Sequence, residues 1–246
     1  MANIWVVFKR ELRSYFATPV AYVFIVIFLF LTGWFTFSRG LGNFIDRGQA
    51  DLQPFFGFLP WLYLFLIPAI TMRVWAEERK TGSIELLMTL PVTLGQAVWG
   101  KFLAAWAFTA LALAMTFPYW MTVNYLGDPD NGVIFISYLG SLLMAGAYLS
   151  IGTCLSAFTR NQVIAFVLSV VVCLLFILSG LPPVTGFLVG WAPQALIDGI
   201  ASFSFLSRFD AITRGVMDVR DLVFFVSLIA TMLFTNAVVL EMKKAN

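Results

Sequence analysis

Histidine is missing altogether from the 246 residues. Its absence removes bis-histidine haem ligation, histidine-based zinc hydrolysis and Ser-His-Asp catalysis. Cysteine is nearly missing too. Cys154 and Cys173 both fall inside apolar stretches, where a disulfide framework is not expected and two thiols do not complete a zinc site. Charge is scarce, at 11% of residues, and a net charge of +2 is too small to point to nucleic acid. Low-complexity segments are absent, and neither half of the chain repeats the other.

What the chain has instead is apolar length. Hydrophobic residues make up 61% and the mean hydropathy is +0.91. A soluble chain of this size needs far more polar surface, so this is an integral membrane protein. Six charge-free intervals run over 14–38, 52–72, 102–127, 131–159, 161–197 and 222–240. A helix needs ~20 residues to cross a bilayer, and each interval holds at least one such stretch. The reading is all-α, with six transmembrane helices near 20–38, 56–75, 97–124, 134–158, 162–181 and 221–241. The first has basic residues ahead of it, as a signal peptide would, but no small-x-small cleavage site, so it is expected to be retained.

Residues 1–18 precede that span. Ile4, Phe8, Leu12 and Tyr15 share one side of a helix and Lys9 and Arg13 lie away from it. This predicts an amphipathic interfacial helix anchored by Trp5 and Phe16. A plain extension of the first span is the alternative reading.

Basic residues set the orientation. With six spans, ten of the 15 Lys and Arg fall on the side of the termini and five on the other. All five Glu (Glu11, Glu77, Glu78, Glu85, Glu241) share the side of the termini, and all eight Asp lie opposite. Both termini are therefore expected in the cytosol.

The stretch 182–220 fits neither span nor free loop. Pro182 and Pro183 end the fifth helix, yet 184–205 stays apolar while carrying Gly186, Gly190, Trp191, Pro193 and Gly199. Short re-entrant or interfacial helices on the external face fit best, because irregular backbone at membrane depth has to be buried in protein. A folded external loop packed on the bundle is the alternative.

Two motifs carry little. Gly95 to Lys101 has the spacing of a phosphate-binding loop, but Phe102 takes the Ser/Thr position and the segment enters a span. Gly186 and Gly190 make a GxxxG pair outside a clean span. Acids and lysines are absent from the span centres, so an ion relay has no candidate there. Thr235 and Asn236 near the end of the last span are expected to hydrogen-bond between helices.

The densest charge lies in 76–91, AEERKTGSIELLMTLP. Gly82 and Ser83 interrupt a helical pattern, and Ser83 can cap a new helix. Glu85 sits in its first turn, where the helix dipole favours an acid. Ile84, Leu87 and Met88 follow at helical spacing, and Pro91 stops the helix. This predicts a short helix built to receive force from a partner. An ordinary charged loop between two spans meets the same physics.

Residues 78–93, ERKTGSIELLMTLPVT, resemble the segment after the second span of ABC-2 type permeases, the membrane subunits of ATP-driven exporters. That family places charged residues before Gly-Ser/Thr, then Ile/Leu-Glu-Leu-Leu and Pro. FKRELRSYFATPVAYVF at 8–24 and FDAITRGVMDVRDL at 209–222 are similar to its gliding-motility (GldF-like) branch. The resemblance runs over nearly the whole chain. It implies one transmembrane domain over 1–246, with a cytosolic coupling helix at 76–91 and short external helices between spans five and six. It also implies that Glu77, Glu78, Arg79, Lys80, Thr81, Gly82, Ser83, Ile84, Glu85 and Leu87 meet a groove of an ATPase subunit. Two ATPase copies, a second permease copy and an external GldG-like auxiliary protein would complete the assembly in a bacterial inner membrane. The chain would hold no cofactor and no catalytic or metal site of its own; ATP and Mg would sit in the partner. An ion-coupled secondary transporter would need inverted repeats and broken helices with polar centres, which are not evident. A structural anchor for a surface or motility assembly is the third reading.

Overall fold

The computed structural model describes residues 2–39, 44–82, 92–188 and 192–243. Among these residues every regular element is a helix. In chain order they are α1 (Ala2–Ala17), α2 (Pro19–Phe37), α3 (Phe44–Arg47), α4 (Gln53–Thr71), α5 (Ala76–Thr81), α6 (Leu94–Ala114) and α7 (Phe117–Leu126). Then come α8 (Asn131–Phe158), α9 (Gln162–Leu178), α10 (Pro182–Leu188), α11 (Gln194–Ser202), α12 (Phe205–Thr213) and α13 (Val219–Met242).

Five helical stretches are long and apolar enough to cross a membrane: Pro19–Phe37, Gln53–Thr81, Leu94–Leu126, Asn131–Phe158 and Val219–Met242. A sixth apolar helix, Gln162–Leu178, is shorter at 17 residues. Each expected span has its helix. One differs in detail. The predicted continuous helix over 97–124 is broken between Ala114 and Phe117, because Pro118 at the start of α7 cannot donate into the preceding turn. Thr116 partly mends the break: its hydroxyl lies 2.6 Å from the Leu113 carbonyl and 2.9 Å from the Tyr138 hydroxyl.

The bundle is built around α8, which packs against α4, α6, α9, α12 and α13. Small residues make this possible. A Cβ on Gly140 would come within 2.5 Å of Ile212 in α12, and one on Gly152 would overlap the Thr71 hydroxyl of α4. Lipid gives no hydrophobic drive between helices, so close backbone approach of this kind is what holds them together. Tyr63, Tyr148, Phe205 and Phe225 are fully buried in the same core.

The N-terminal helix does more than rest on an interface. Val7 is buried against Gly100, where a Cβ would meet it at 2.7 Å, and Tyr15 stacks on Phe108 at 5.3 Å. So α1 is bedded along the first turns of α6. Trp5 is exposed and stacks on Phe8 at 4.8 Å. Phe16, the other expected anchor, is half-buried, edge-on to Phe108 at 5.7 Å. The stretch 182–220 folds as three short helices, α10, α11 and α12. Phe205 from this region stacks on Phe176 at 4.9 Å and is fully buried.

Candidate functional site

The charged segment begins where α4 fails. Pro68 lies inside α4 and removes a donor. The helix gives way to a turn after Thr71, and α5 starts afresh at Ala76. A new helix start leaves orphan N–H groups. Ser156 of α8 supplies the missing partner. Its hydroxyl accepts from the Trp75 and Ala76 N–H groups at 3.2 and 3.1 Å and donates to the Met72 carbonyl at 3.1 Å. One fully buried side chain thus closes both sides of the break.

Next to this joint lies a buried lysine. Lys101, in the second turn of α6, is only 3% exposed. Its Nζ donates to Glu78 Oε1 at 2.7 Å and to the Val74 carbonyl at 3.1 Å. It also lies 3.4 Å from Glu11 Oε1 of α1 and 4.9 Å from the Trp75 ring centroid. Arg10 closes the ring: it reaches Glu11 at 2.6 Å and Glu78 at 3.9 Å. A lysine this deep needs paired charge, because removing one partner of a buried pair leaves an uncompensated ion. The network joins α5 and α6 to α1, an element far from both in sequence.

The opposite flank of α5 is tied to the end of α8. Arg79 donates to the Ala157 carbonyl at 2.7 Å. Lys243, just past α13, reaches the same carbonyl at 3.4 Å and that of Phe158 at 2.5 Å. The last carbonyls of a helix carry partial negative charge, and cations there are favoured. Two cations at one helix end repel each other: burial first, then Arg79 and Arg160, push the Lys243 ammonium below its ordinary range.

The expected contact residues divide into two sets. Glu77, Glu78, Arg79, Lys80 and Thr81 all lie in α5. Glu78 and Arg79 turn inward to the bundle, whereas Glu77 and Lys80 are exposed. Gly82 ends α5 with φ of 73°, a left-handed conformation that glycine adopts without strain. Ser83, Ile84, Glu85 and Leu87 lie outside the described residues.

Lys101, Glu11, Ser156 and Lys243 were not among the sequence candidates. The signal for Lys101 was present: a lone lysine immediately before 26 uncharged residues, 102–127, has no polar surface of its own to reach. Ser156 carried none, since a serine within an apolar helix is common and its partner is a helix break 80 residues away. The region resembling a phosphate-binding loop is helical, beginning at a capping box of Thr93 and Gln96. It offers Lys101 to Glu78, not to a phosphate.

Asn236 departs from expectation. It is fully buried in α13, and neither its side-chain nitrogen nor its oxygen has a hydrogen-bond partner among the described residues. The interhelical bond expected there is not made. Thr235 bonds back to the Thr231 carbonyl of its own helix at 2.8 Å.

A comparison with curated proteins gives no match. The family model described as ABC-2 family transporter protein matches residues 5–240, a range that takes in α1, the Lys101 network and all the long helices up to the last turn of α13. With nearly its whole length matched and an all-helical bundle to carry it, the chain belongs to the ABC-2 family of transporter proteins.

Proposed function

We propose that this chain is the permease subunit of an exporter driven by a separate ATPase, and that 76–91 is where the ATPase pushes. The supporting observation is how α5 is held. Its base is fixed to α6 and α1 through Lys101, to α8 through Ser156, and its flank to the end of α8 through Arg79. A displacement applied to the exposed Glu77 and Lys80 face would be passed to three elements of the bundle at once. A passive loop between spans has no need of such a base.

In this reading α9 serves as the fifth of six spans and both termini lie in the cytosol of a bacterial inner membrane, as the ten-to-five division of Lys and Arg favours. The chain is one domain, and α10 to α12 form the external re-entrant group. By their spacing, Ile84, Leu87 and Met88 supply the apolar side of the docking helix, with Ser83 as its cap and Glu85 in its first turn. The chain hydrolyses nothing itself; two ATPase copies bring ATP and Mg, and a second permease copy completes the pathway. The likeness of 8–24 and 209–222 to the gliding-motility branch supports a GldF-like role with an external GldG-like auxiliary protein.

The experiment is pull-down of the ATPase from detergent-solubilised complex. Ile84→Asp and Leu87→Asp place a charge in an apolar contact and should release the ATPase, while the spans still insert. Full retention in both variants, with normal ATP hydrolysis, would reject the docking site.

A further inference from the structure

A cleft of about 870 Å³ opens between α1, the first turns of α2, and the α4–α5 joint. Its two ends differ in chemistry. One end carries Arg10, Glu11, Arg73, Glu77, Glu78 and Lys101. The other is apolar: Val20, Phe24 and Ile27 on one wall face Leu66, Ala69 and Ile70 on the other. The segregation follows from topology. Phe28 of α2 stacks on Tyr63 of α4 at 6.2 Å and the two helices run antiparallel. Moving from Val20 to Ile27 therefore means moving from Ile70 back to Leu66, away from the charges. Those seven residues give the apolar part a depth of about 10 Å.

We propose that this cleft is a binding site for one membrane glycerophospholipid with a zwitterionic, amine-bearing headgroup. An acyl chain fits the apolar part, where an empty greasy slot open to a polar mouth would otherwise admit water. The headgroup is assigned by charge. The lining has three basic and three acidic side chains, so the mouth is neutral overall and does not select a net anion. Four of the six, Arg10, Glu11, Glu78 and Lys101, neutralise one another in the network already described. Arg73 and Glu77 make no ion pair among the described residues. Both are exposed, and the Glu77 N–H bonds the Arg73 carbonyl at 3.4 Å, so they stand one helical turn apart on one face. A guanidinium donates two parallel N–H bonds from its fork to phosphate oxygens. A carboxylate one turn away is placed for the ammonium of the same headgroup. An anionic headgroup would satisfy Arg73 and leave Glu77 repelled. A quaternary amine has no N–H to give Glu77.

The site shares Glu77 with the proposed ATPase-facing surface, so its test uses the permease without the ATPase. The purified protein, stripped of lipid in detergent, is incubated with phosphatidylethanolamine, phosphatidylglycerol or phosphatidylcholine of matched acyl chains. Retained lipid is then counted by native mass spectrometry. One phosphatidylethanolamine per chain should be retained in preference to the other two. Arg73→Gln should weaken it by roughly tenfold, the worth of one charge-assisted contact. Glu77→Gln should reduce phosphatidylethanolamine to the level of phosphatidylcholine. Ile27→Trp, which fills the slot from an exposed position, should lower all three together. Circular dichroism confirms that each variant is folded. Equal retention of the three lipids, a preference for phosphatidylglycerol, or indifference to Arg73→Gln and Ile27→Trp in folded protein would each overturn the proposal.

Discussion

The bundle has an ion pair with one buried member at each end, and the two are wired differently. At one end Lys101 and Glu78 meet at 2.7 Å. At the other, where α13 begins, Arg208 of α12 meets Asp221 at the same 2.7 Å, with the guanidinium 4.3 Å from the Phe224 ring. The distances match but the wiring does not. Arg208 and Asp221 are 13 residues apart and belong to consecutive helices. They fasten a short external helix to the start of its neighbour. Lys101 joins residues 23 positions back in α5 and 90 back in α1, and its ammonium is the more deeply buried. A local strap needs no such reach. The comparison teaches that buried charge in this family member makes two kinds of link: one between consecutive helices, and one that ties α5 and α6 to the distant α1.

The largest expected effect breaks the first pair alone. Lys101→Met leaves Glu78 and Glu11 facing each other beside a buried methionine. A cost of about 3–5 kcal/mol is expected from orphaning a buried charge, read as a steep loss of thermal stability in detergent. Adding Glu78→Gln should restore much of it, because the charge is then gone from both sides. Lys101→Met equal to wild type in stability would show that the network holds nothing.

Breaking the strap should hurt less. Asp221→Asn leaves Arg208 with the Ser202 carbonyl and the Phe224 ring, and the Arg208 side chain is already partly exposed, so about 1–2 kcal/mol is expected. Hydrogen exchange should rise in α12 and not in α5. Ser156→Ala is smaller in atoms and sharper in meaning. It strands two N–H groups at the start of α5, and about 1–3 kcal/mol is expected, with exchange rising at Trp75 and Ala76. Unchanged protection there would mean that water takes the place of the hydroxyl.

Most of this fold was legible from charge and length. The long apolar helices were visible because charge is sparse in them: five of the expected spans coincide with helices long and apolar enough to cross, and the one expected at 162–181 holds a shorter apolar helix. What stayed hidden was contact across long sequence separation. Ser156 closing the Met72–Ala76 joint and Val7 seated on Gly100 depend on which helices are neighbours, and an apolar helix in a bundle of apolar helices does not announce its neighbours. Phe16 illustrates the same limit: an aromatic near a span end reads as a lipid anchor, and only the packing of α1 along α6 turns it toward Phe108. The inward turn of Glu78 and Arg79 was equally invisible. Four consecutive charges, Glu77 to Lys80, read as one exposed patch, while the helical period sends two of them into the bundle.

The smallest expected effect comes from Lys243→Met. It removes one of two cations at the end of α8, where Arg79 remains, and less than about 1 kcal/mol is expected from the loss of one partly exposed dipole contact. A large destabilisation would show that the α13 end anchors α8 more firmly than Arg79 does.

The claim that the Lys101 end transmits force and the Arg208 end only fastens is tested by ATP hydrolysis in the reconstituted complex of permease and ATPase. Two variants are compared, each with its ion pair neutralised on both sides so that no buried charge is orphaned: Lys101→Met with Glu78→Gln, and Arg208→Met with Asp221→Asn. The first should still bind the ATPase, yet hydrolysis should lose its dependence on the permease. The second should keep both binding and dependence. Hydrolysis coupled normally in the first variant, or lost equally in both, would contradict the account.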